Sequence, residues 1–475
     1  MLFHLTQGDT LAATTTTIPA GPEPFFHVRR IAVQNLFGEF TYDLKLDPDR
    51  PADPRLFILY GDNGSGKTTL LRMLFHLIHP AAHSGHRSFL ASCSFSEFAV
   101  ELGEGIKISA ERGGSELVGG YTMSIRKAGV TLAQLTWIAA EGGAIKESAE
   151  GDAAEADFFK HLAGLNIGLH MLADNRRVEP GESLKDLEEL PPDYLRFLQH
   201  EIMSAGPATK MTRVVQRLQR ASDEAALEIA VRRASNWVTQ QVVRGSSKGD
   251  EDANAIYTDI VQRIAASRSR SSSPVVTSDR EKLVTELELL AHRAAAFSRY
   301  GLIGATDIDA LVRAVIGAKP SVVPTIYEVV RPYIDGLEVR LNALQRVYER
   351  INAFVNLING FYGNKQINFH LTNGLSIAMR SGGVLAPRSL SSGERQLLLL
   401  FCNLLVAGHQ NTIFIIDEPE LSLDIKWQRQ LLRALLEFTG QGRIQFVLAT
   451  HSIELLTHHK NNVVRLADAR MLQPA

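Results

Sequence analysis

An α/β head interrupted by a helical, short coiled-coil insertion is the fold class that the 475-residue sequence predicts. The head combines a mixed sheet with an antiparallel β meander. Three observations point to it. A glycine-rich run, GDNGSGKT at 61–68, stands between a short apolar strand and an amphipathic helix. Beyond residue 390 a second α/β segment supplies the apolar strands TIFIID and FVLATH with a helix between them. Between these segments, apolar residues recur at alternating spacings of three and four, the seam of a coiled coil.

Bulk properties narrow the possibilities. The length exceeds the ~100–200 residues of one compact core, so two or three structural units are expected. A net charge of −2 gives no chain-wide attraction for nucleic acid, and any basic surface must be local. Only Cys93 and Cys402 are present, far apart in apolar surroundings, which leaves no disulfide framework and no CxxC metal site. No apolar run approaches the ~20 residues that span a bilayer. The N-terminus lacks a basic stretch followed by an apolar one. A cytoplasmic protein without a membrane partner is the expectation.

Taken in order, residues 1–24 read as a flexible N-terminal tail, and residues 25–156 as the first half of the head. FFHVRRIAVQNLFGEFTYDLKL alternates like two antiparallel strands with a turn at NLFGEF. LFILY is a strand, followed by the glycine-rich loop and the helix KTTLLRMLFHLI; FSEFAVEL, GIKISAER and YTMSIRK continue as a meander. Residues 157–360 read as the helical insertion, interrupted by GSSKGDED (245–252) and SRSRSSSP (267–274), both of loop composition. Its seam runs through Tyr327, Val330, Ile334, Leu337, Leu341, Leu344, Tyr348, Ile351, Val355 and Ile358, with Pro332 near the helix start. An antiparallel partner is expected in REKLVTELELLAHRAAAF, through Leu283, Leu287 and Leu290. Residues 361–475 complete the head, and strands near residues 58 and 415 must then share one sheet.

The chemistry is concentrated in a few runs. Gly61–Thr68 fits GxxxxGK[ST] in full, in the strand-to-helix setting that the motif requires. Its glycines let backbone N–H groups curl around a phosphate, and the helix N-terminus adds its positive end. This makes Asn63, Gly64, Ser65, Gly66, Lys67, Thr68 and Thr69 the candidate nucleotide-binding set. Lys67 is expected to reach the β- and γ-phosphates of ATP, and Thr68 to ligate Mg²⁺. In TIFIIDEPELSLD, Asp417 and Glu418 end an apolar strand, Asp417 as the second metal residue and Glu418 as the base that polarises water.

Together with the run LSSGERQ (390–396) and LATHS (448–452), these motifs, in this order, resemble the head of an ABC-class ATPase. The resemblance implies that LSSGERQ caps the γ-phosphate held by a second subunit. Ser392 and Gly393 then take the capping role, Leu390, Ser391 and Glu394 complete the motif, and His451 is the switch histidine. Serine at 392 and glutamate at 394 depart from transporter usage and are common in the SMC and RecF-like branch. No glutamine is assigned to the Q-loop: Gln134 fits poorly, and LADNRR (172–177) is the alternative. The overall pattern resembles stand-alone ATPases of the OLD-like AAA group, most like the ATPase subunit of the PARIS anti-phage defence system. That resemblance implies a homo-oligomer that holds a separate TOPRIM-type nuclease and responds to a phage-encoded trigger protein. The second reading is a DNA-repair or chromosome-handling ATPase of RecF or SMC type, with DNA as a partner.

Two features are discounted. Arg213, Arg217 and Arg220, with Arg232 and Arg233 further along, read as a solvated helix face before a DNA grip. His76, His79, His83 and His86 have partly helix-like ligand spacing, but Pro80 interrupts it and no cysteine or paired carboxylate is near.

Overall fold

The computed structural model describes residues 25–47, 49–81, 85–139, 145–172, 226–246, 277–304, 307–407, 411–440 and 442–467. The expected tail at 1–24, His83, Arg213, Arg217, Arg220 and the serine-rich 267–274 run lie outside these residues.

The chain opens with β1 (Val28–Leu36) and β2 (Phe40–Lys45), an antiparallel pair joined at the expected turn. Next come β3 (Leu56–Tyr60), α1 (Lys67–Ile78) and α2 (His86–Ser92). The meander follows as β4 (Glu97–Leu102), β5 (Ile106–Glu111), β6 (Tyr121–Lys127), β7 (Val130–Ala139) and β8 (Ile145–Ser148). Among the described residues these strands form one sheet in the order β2-β1-β4-β5-β6-β7-β8. After α3 (Asp152–Gly164) the chain returns as β9 (Gly168–Leu172).

The second sheet is parallel and is assembled from distant stretches. It takes β9, β3, β13 (Thr412–Asp417), β14 (Ile444–Thr450) and β15 (Val463–Arg465) in the order β15-β3-β14-β13-β9. Every residue of β13 and β14 is buried, as a parallel sheet covered on both faces requires. Strands near residues 58 and 415 do share this sheet, with β14 between them. Helix α1 lies between the two sheets and buries nearly its whole circumference, from Leu70 and Leu71 through Met73, Leu74, Phe75, Leu77 and Ile78.

β9 departs from the expectation of continuous helix after residue 157. Its five residues are too short a run to stand out, and they become a strand by pairing in parallel with β13.

Among the described residues the insertion contributes α4 (226–246), α5 (Thr277–Ser298), α6 (Ile308–Gly317) and α7 (Val323–Phe361). Along α7, Val330, Ile334, Leu337, Leu341, Leu344, Ile351, Val355 and Ile358 are buried, so the seam is a true core. Tyr348 packs against it, while Tyr327 at one end is exposed. Leu283, Leu287 and Leu290 of α5 are buried against the same core, but the pairing is parallel. Arg331 bonds Glu286, Arg293 bonds Asn342, Phe297 stacks on Tyr348, and Tyr300 bonds Asn352, with both numbers rising together. The intervening α6 carries the chain back, which lets α5 and α7 run the same way. The antiparallel neighbour is α4: Trp237 lies under Arg350, and Gly245 abuts Leu344. Pro332 does not mark the start of α7 but sits inside it; the helix begins at Val323, with Pro324 in its first turn.

Three strands, β10 (Lys365–His370), β11 (Gly374–Met379) and β12 (Val384–Leu385), lead to α8 (Ser392–Ala407). Helix α9 (Ile425–Thr439) joins β13 to β14. Two arginines close helix ends: the buried Arg87 donates to the carbonyls of His76, Leu77 and His79 at the end of α1, and the half-buried Arg112 donates to those of Leu90 and Ala91 in α2.

His76 and His86 meet through their Nδ1 atoms at 2.7 Å, and His79 stacks on His86. Burial, aided by the Arg87 guanidinium, pushes His76 down to about 3, and burial with the neighbouring His79 pushes His86 down to about 2. The folded chain thus refuses protons that the unfolded chain accepts below about pH 6.5, so stability falls with pH from there toward the folded values. Removing one of these groups as His86→Phe should make that loss shallower between about pH 6.5 and 4.5, by up to about 1.4 kcal/mol per pH unit. Urea titrations across this range check it; an unchanged slope contradicts the neutral-pair account.

Candidate functional site

Strands β3, β14 and β13 are adjacent and parallel, so their carboxyl ends lie side by side, where open α/β sheets place ligands. Register makes this concrete: Tyr60 stands opposite Thr450, and Ala449 opposite Asp417. The phosphate loop leaves β3 at Tyr60 and enters α1 at Lys67. Gly64 and Gly66 hold φ of +82° and +86°, a region open to glycine. A Cβ on Gly66 would fall 2.9 Å from Leu36, whereas Gly64 faces open space. Lys67 is only 5 % exposed, and its ammonium donates to the carbonyls of Gly61 and Asp62, both at 2.8 Å. Ser65 is anchored from outside by the Tyr42 hydroxyl, which donates to its carbonyl at 3.0 Å. Asn63 is exposed, and Thr68 and Thr69 are half-buried at the first turn of the helix.

Across the cleft, Asp417 is buried at the last position of β13. Glu418 adopts a left-handed backbone, φ +47°, which is unfavourable for a residue with a Cβ. Its N–H donates to the Ala449 carbonyl at 2.8 Å, so the turn is pinned to β14. Strain of this kind collects at functional turns. His451 follows β14 directly, with Nδ1 3.7 Å from Glu418 Oε1 and 3.3 Å from Glu420 Oε1. Asp424 caps α9 by accepting from the Trp427 N–H at 2.9 Å.

The LSSGERQ turn is a capping box. Ser391 Oγ accepts from the Glu394 N–H, and Glu394 Oε2 accepts from the Ser391 N–H at 2.6 Å. Glu394 is buried and its carboxylate also takes the Lys365 ammonium at 2.7 Å. Burial opposes its ionisation, but Lys365 and the Ser391 N–H outweigh that and hold its carboxyl below the usual range. Glu394 therefore serves the motif by shaping the turn, with its carboxylate directed inward. Tyr362, at the end of α7, donates its hydroxyl to the Glu394 carbonyl at 2.8 Å, and Arg350 donates to Leu404 O. Ser391 is exposed and Ser392 half-buried. Gly393 is required by contact: a Cβ there would lie 2.4 Å from the Ser422 carbonyl.

The structure thus brings Lys67, Thr68, Asp417, Glu418 and His451 to one sheet edge. The described hydrogen bonds of Ser391–Glu394 run instead to β10, to α7 and within the turn, and none joins the phosphate loop of the same chain. Gln134 is exposed on β7 while Leu135 and Trp137 beside it are buried, so it faces away from the core. LADNRR begins at the carboxyl end of β9, beside β13, and continues outside the described residues. Three participants were missed from sequence: Glu420, Lys365 and Tyr362. The S-x-x-E spacing of Ser391 and Glu394 was a legible capping signal, whereas nothing local marks Lys365 or Tyr362.

Two substitutions probe this turn. Glu394→Ala removes the carboxylate that pairs with the half-buried Lys365 ammonium and accepts the Ser391 N–H, leaving Lys365 only the Ser389 carbonyl, and should destabilise the head by about 1–3 kcal/mol in urea denaturation. Gly393→Ala should force α8 off the 419–424 loop at a cost of about 1–3 kcal/mol. Wild-type stability in either variant contradicts the packing described.

Comparison with known proteins finds similarity over parts of the chain. Residues 333–457 match the family described as "AAA domain, putative AbiEii toxin, Type IV TA system". The "Putative ABC transporter ATP-binding protein" of Methanosarcina mazei is 23 % identical over 209 residues, covering 37 % of this chain and 41 % of that protein. The molybdenum import ATP-binding protein ModC of Escherichia coli K12 is 33 % identical over 85 residues, 18 % of this chain and 23 % of that one. The chain spans about two fifths of the length of the first of these relatives. Among solved structures, the Smc head domain with an extended coiled coil from Pyrococcus furiosus, bound to the C-terminal domain of ScpA, aligns at TM-score 0.37 and 12 % identity over 93 % of this chain and 94 % of that one. The Smc head with coiled coil and joint from Pyrococcus yayanosii gives TM-score 0.38 at 12 % identity, over 93 % and 97 %. The family match spans the segment that carries the LSSGERQ turn, Asp417, Glu418 and His451, and the relatives quoted are described as ATP-binding proteins.

Proposed function

We propose that the chain hydrolyses ATP in a homo-oligomer, each nucleotide lying between the Lys67 side of one copy and the Ser392 side of another. The observation that carries this reading is the split of the motifs. Lys67, Asp417, Glu418 and His451 share a sheet edge, while the LSSGERQ turn is braced by its own set of partners. Thr68 and Asp417 offer a hydroxyl and a carboxylate, hard oxygen donors of the kind Mg²⁺ takes. Mg²⁺, when bound, neutralises charge on the β- and γ-phosphate oxygens. Lys67 exchanges its loop carbonyls for phosphate oxygens, and the glycines at 64 and 66 let backbone N–H groups approach. Glu418 orients and polarises the attacking water, and His451 faces the terminal phosphate. Ser392 and Gly393 close the nucleotide from the neighbouring copy, helped by the N-terminus of α8.

In the wider reading, this ATPase is the sensor and scaffold of an anti-phage defence complex that holds a separate TOPRIM-type nuclease until a phage-encoded protein triggers release. Support comes from the resemblance to the PARIS ATPase subunit and from a family match whose description is a toxin of a toxin–antitoxin system. Residues 25–156 and 361–475 serve as the halves of the head, with β9 as an added strand, and the helices between them serve as the arm.

Lys67→Ala should abolish nucleotide binding, read with a fluorescent ATP analogue. Glu418→Gln should keep binding, lower kcat by about 100- to 10,000-fold, and trap ATP in the oligomer on gel filtration. Undiminished hydrolysis in Glu418→Gln overturns its assignment as base. Co-expression with a TOPRIM-type nuclease should give a stable complex; ATP-dependent DNA binding that weakens steeply with salt would favour the repair reading instead.

A further inference from the structure

The motifs account for Asp417, Glu418 and His451 and leave a deeply buried carboxylate beside them without a role. Glu420 is 5 % exposed. A carboxylate at this depth is costly unless its lone pairs are met. Glu420 Oε1 accepts from the Thr450 hydroxyl at 2.6 Å, from the His451 N–H at 3.0 Å and from the Ser452 N–H at 3.2 Å. Its other oxygen, Oε2, is buried with no hydrogen-bond partner among the described residues. The turn it holds is tied onward, since Ser452 Oγ donates to Gln428 Oε1 at 2.8 Å and Gln428 Nε2 donates to the Leu423 carbonyl at 2.9 Å.

The three donors to Glu420 are all neutral, so an uncharged acceptor would satisfy them without the cost of a buried charge. The charge itself has one cation-forming group within ion-pair reach among the described residues, the His451 ring, whose Nδ1 lies 3.3 Å from Oε1. We infer that Glu420 is the positioning residue of the switch histidine. Its hydrogen bonds fix the backbone of the 450–452 turn, and its carboxylate, with Oε1 3.3 Å from the ring Nδ1, holds the His451 ring where it faces a terminal phosphate. Glu420 itself does not reach the nucleotide; it acts through His451. The inference rests on the ATP-site reading proposed above.

The test compares Glu420→Gln, which keeps an acceptor and removes the charge, with Glu420→Asp and Glu420→Ala. Glu420→Gln should fold normally and bind ATP within about twofold of wild type, yet lose about 10-fold in kcat; in a His451→Ala background the same change should cost less than about twofold. Glu420→Asp, which keeps the charge, should recover part of the loss. A purely structural carboxylate predicts otherwise. Wild-type kcat in Glu420→Gln, equal losses with and without His451, or a fall in ATP affinity that matches the fall in kcat would each overturn the inference. Amide exchange supplies a readout independent of turnover. Glu420→Ala should speed exchange at 450–452 by about 10-fold or more while leaving 61–68 unchanged, and unchanged exchange at 450–452 overturns the positioning role. Should Glu420→Ala not fold, the Glu420→Gln arm decides alone. A wild-type chain that turns over no ATP would overturn the proposed ATPase instead, and the exchange arm would still decide the role of Glu420.

Discussion

The head depends on one pairing: β14 inserted in parallel between β3 and β13. It sets Tyr60 against Thr450, residues that the sequence holds hundreds of positions apart, and Ala449 against Asp417. Every group of the candidate site sits on a strand end or turn that this register fixes. The entropy of closing so long a connection grows only slowly with its length, so an inserted helical unit is tolerated between the halves. A one-residue slip of β14 would move His451 and its turn out of register with both neighbours.

The second constraint is the bracing of the LSSGERQ turn. A buried Glu394 with Lys365, a capping box with Ser391, and the Tyr362 hydroxyl fix its shape from three directions. Two of those braces, Tyr362 and Lys365, lie at the foot of α7, the long helix of the arm. Phe361 adds aromatic contacts to Phe401 of α8 and Trp427 of α9. Because breaking a buried ion pair is costly, the turn has little freedom to relax without moving α7. The arm and the turn therefore form one mechanical unit.

How much of this could be read from sequence varied with the physical origin of each feature. The phosphate loop, the Asp417 strand and the seam of α7 were legible because each is local: a glycine spacing, an unbroken apolar run, a 3–4 period. The failures were non-local. β9 is too short to announce itself and becomes a strand only by pairing with β13. The direction of α5 against α7 is set by the connecting α6, which no heptad pattern encodes. Pro332 misled because α7 starts earlier, at Val323, and carries this proline in its interior. Glu420 and Lys365 escaped because their roles come from groups brought together by the fold.

The central claim is that catalysis is divided between copies of the chain. It is tested most directly by mixing two disabled variants, Lys67→Ala and Ser392→Arg, each expected to be inactive alone. Random reassembly should restore about a quarter of the wild-type ATPase rate, since that share of sites pairs an intact Lys67 with an intact Ser392 from another copy. A mixture that stays dead although both variants fold and assemble, or full activity of Ser392→Arg by itself, would contradict it.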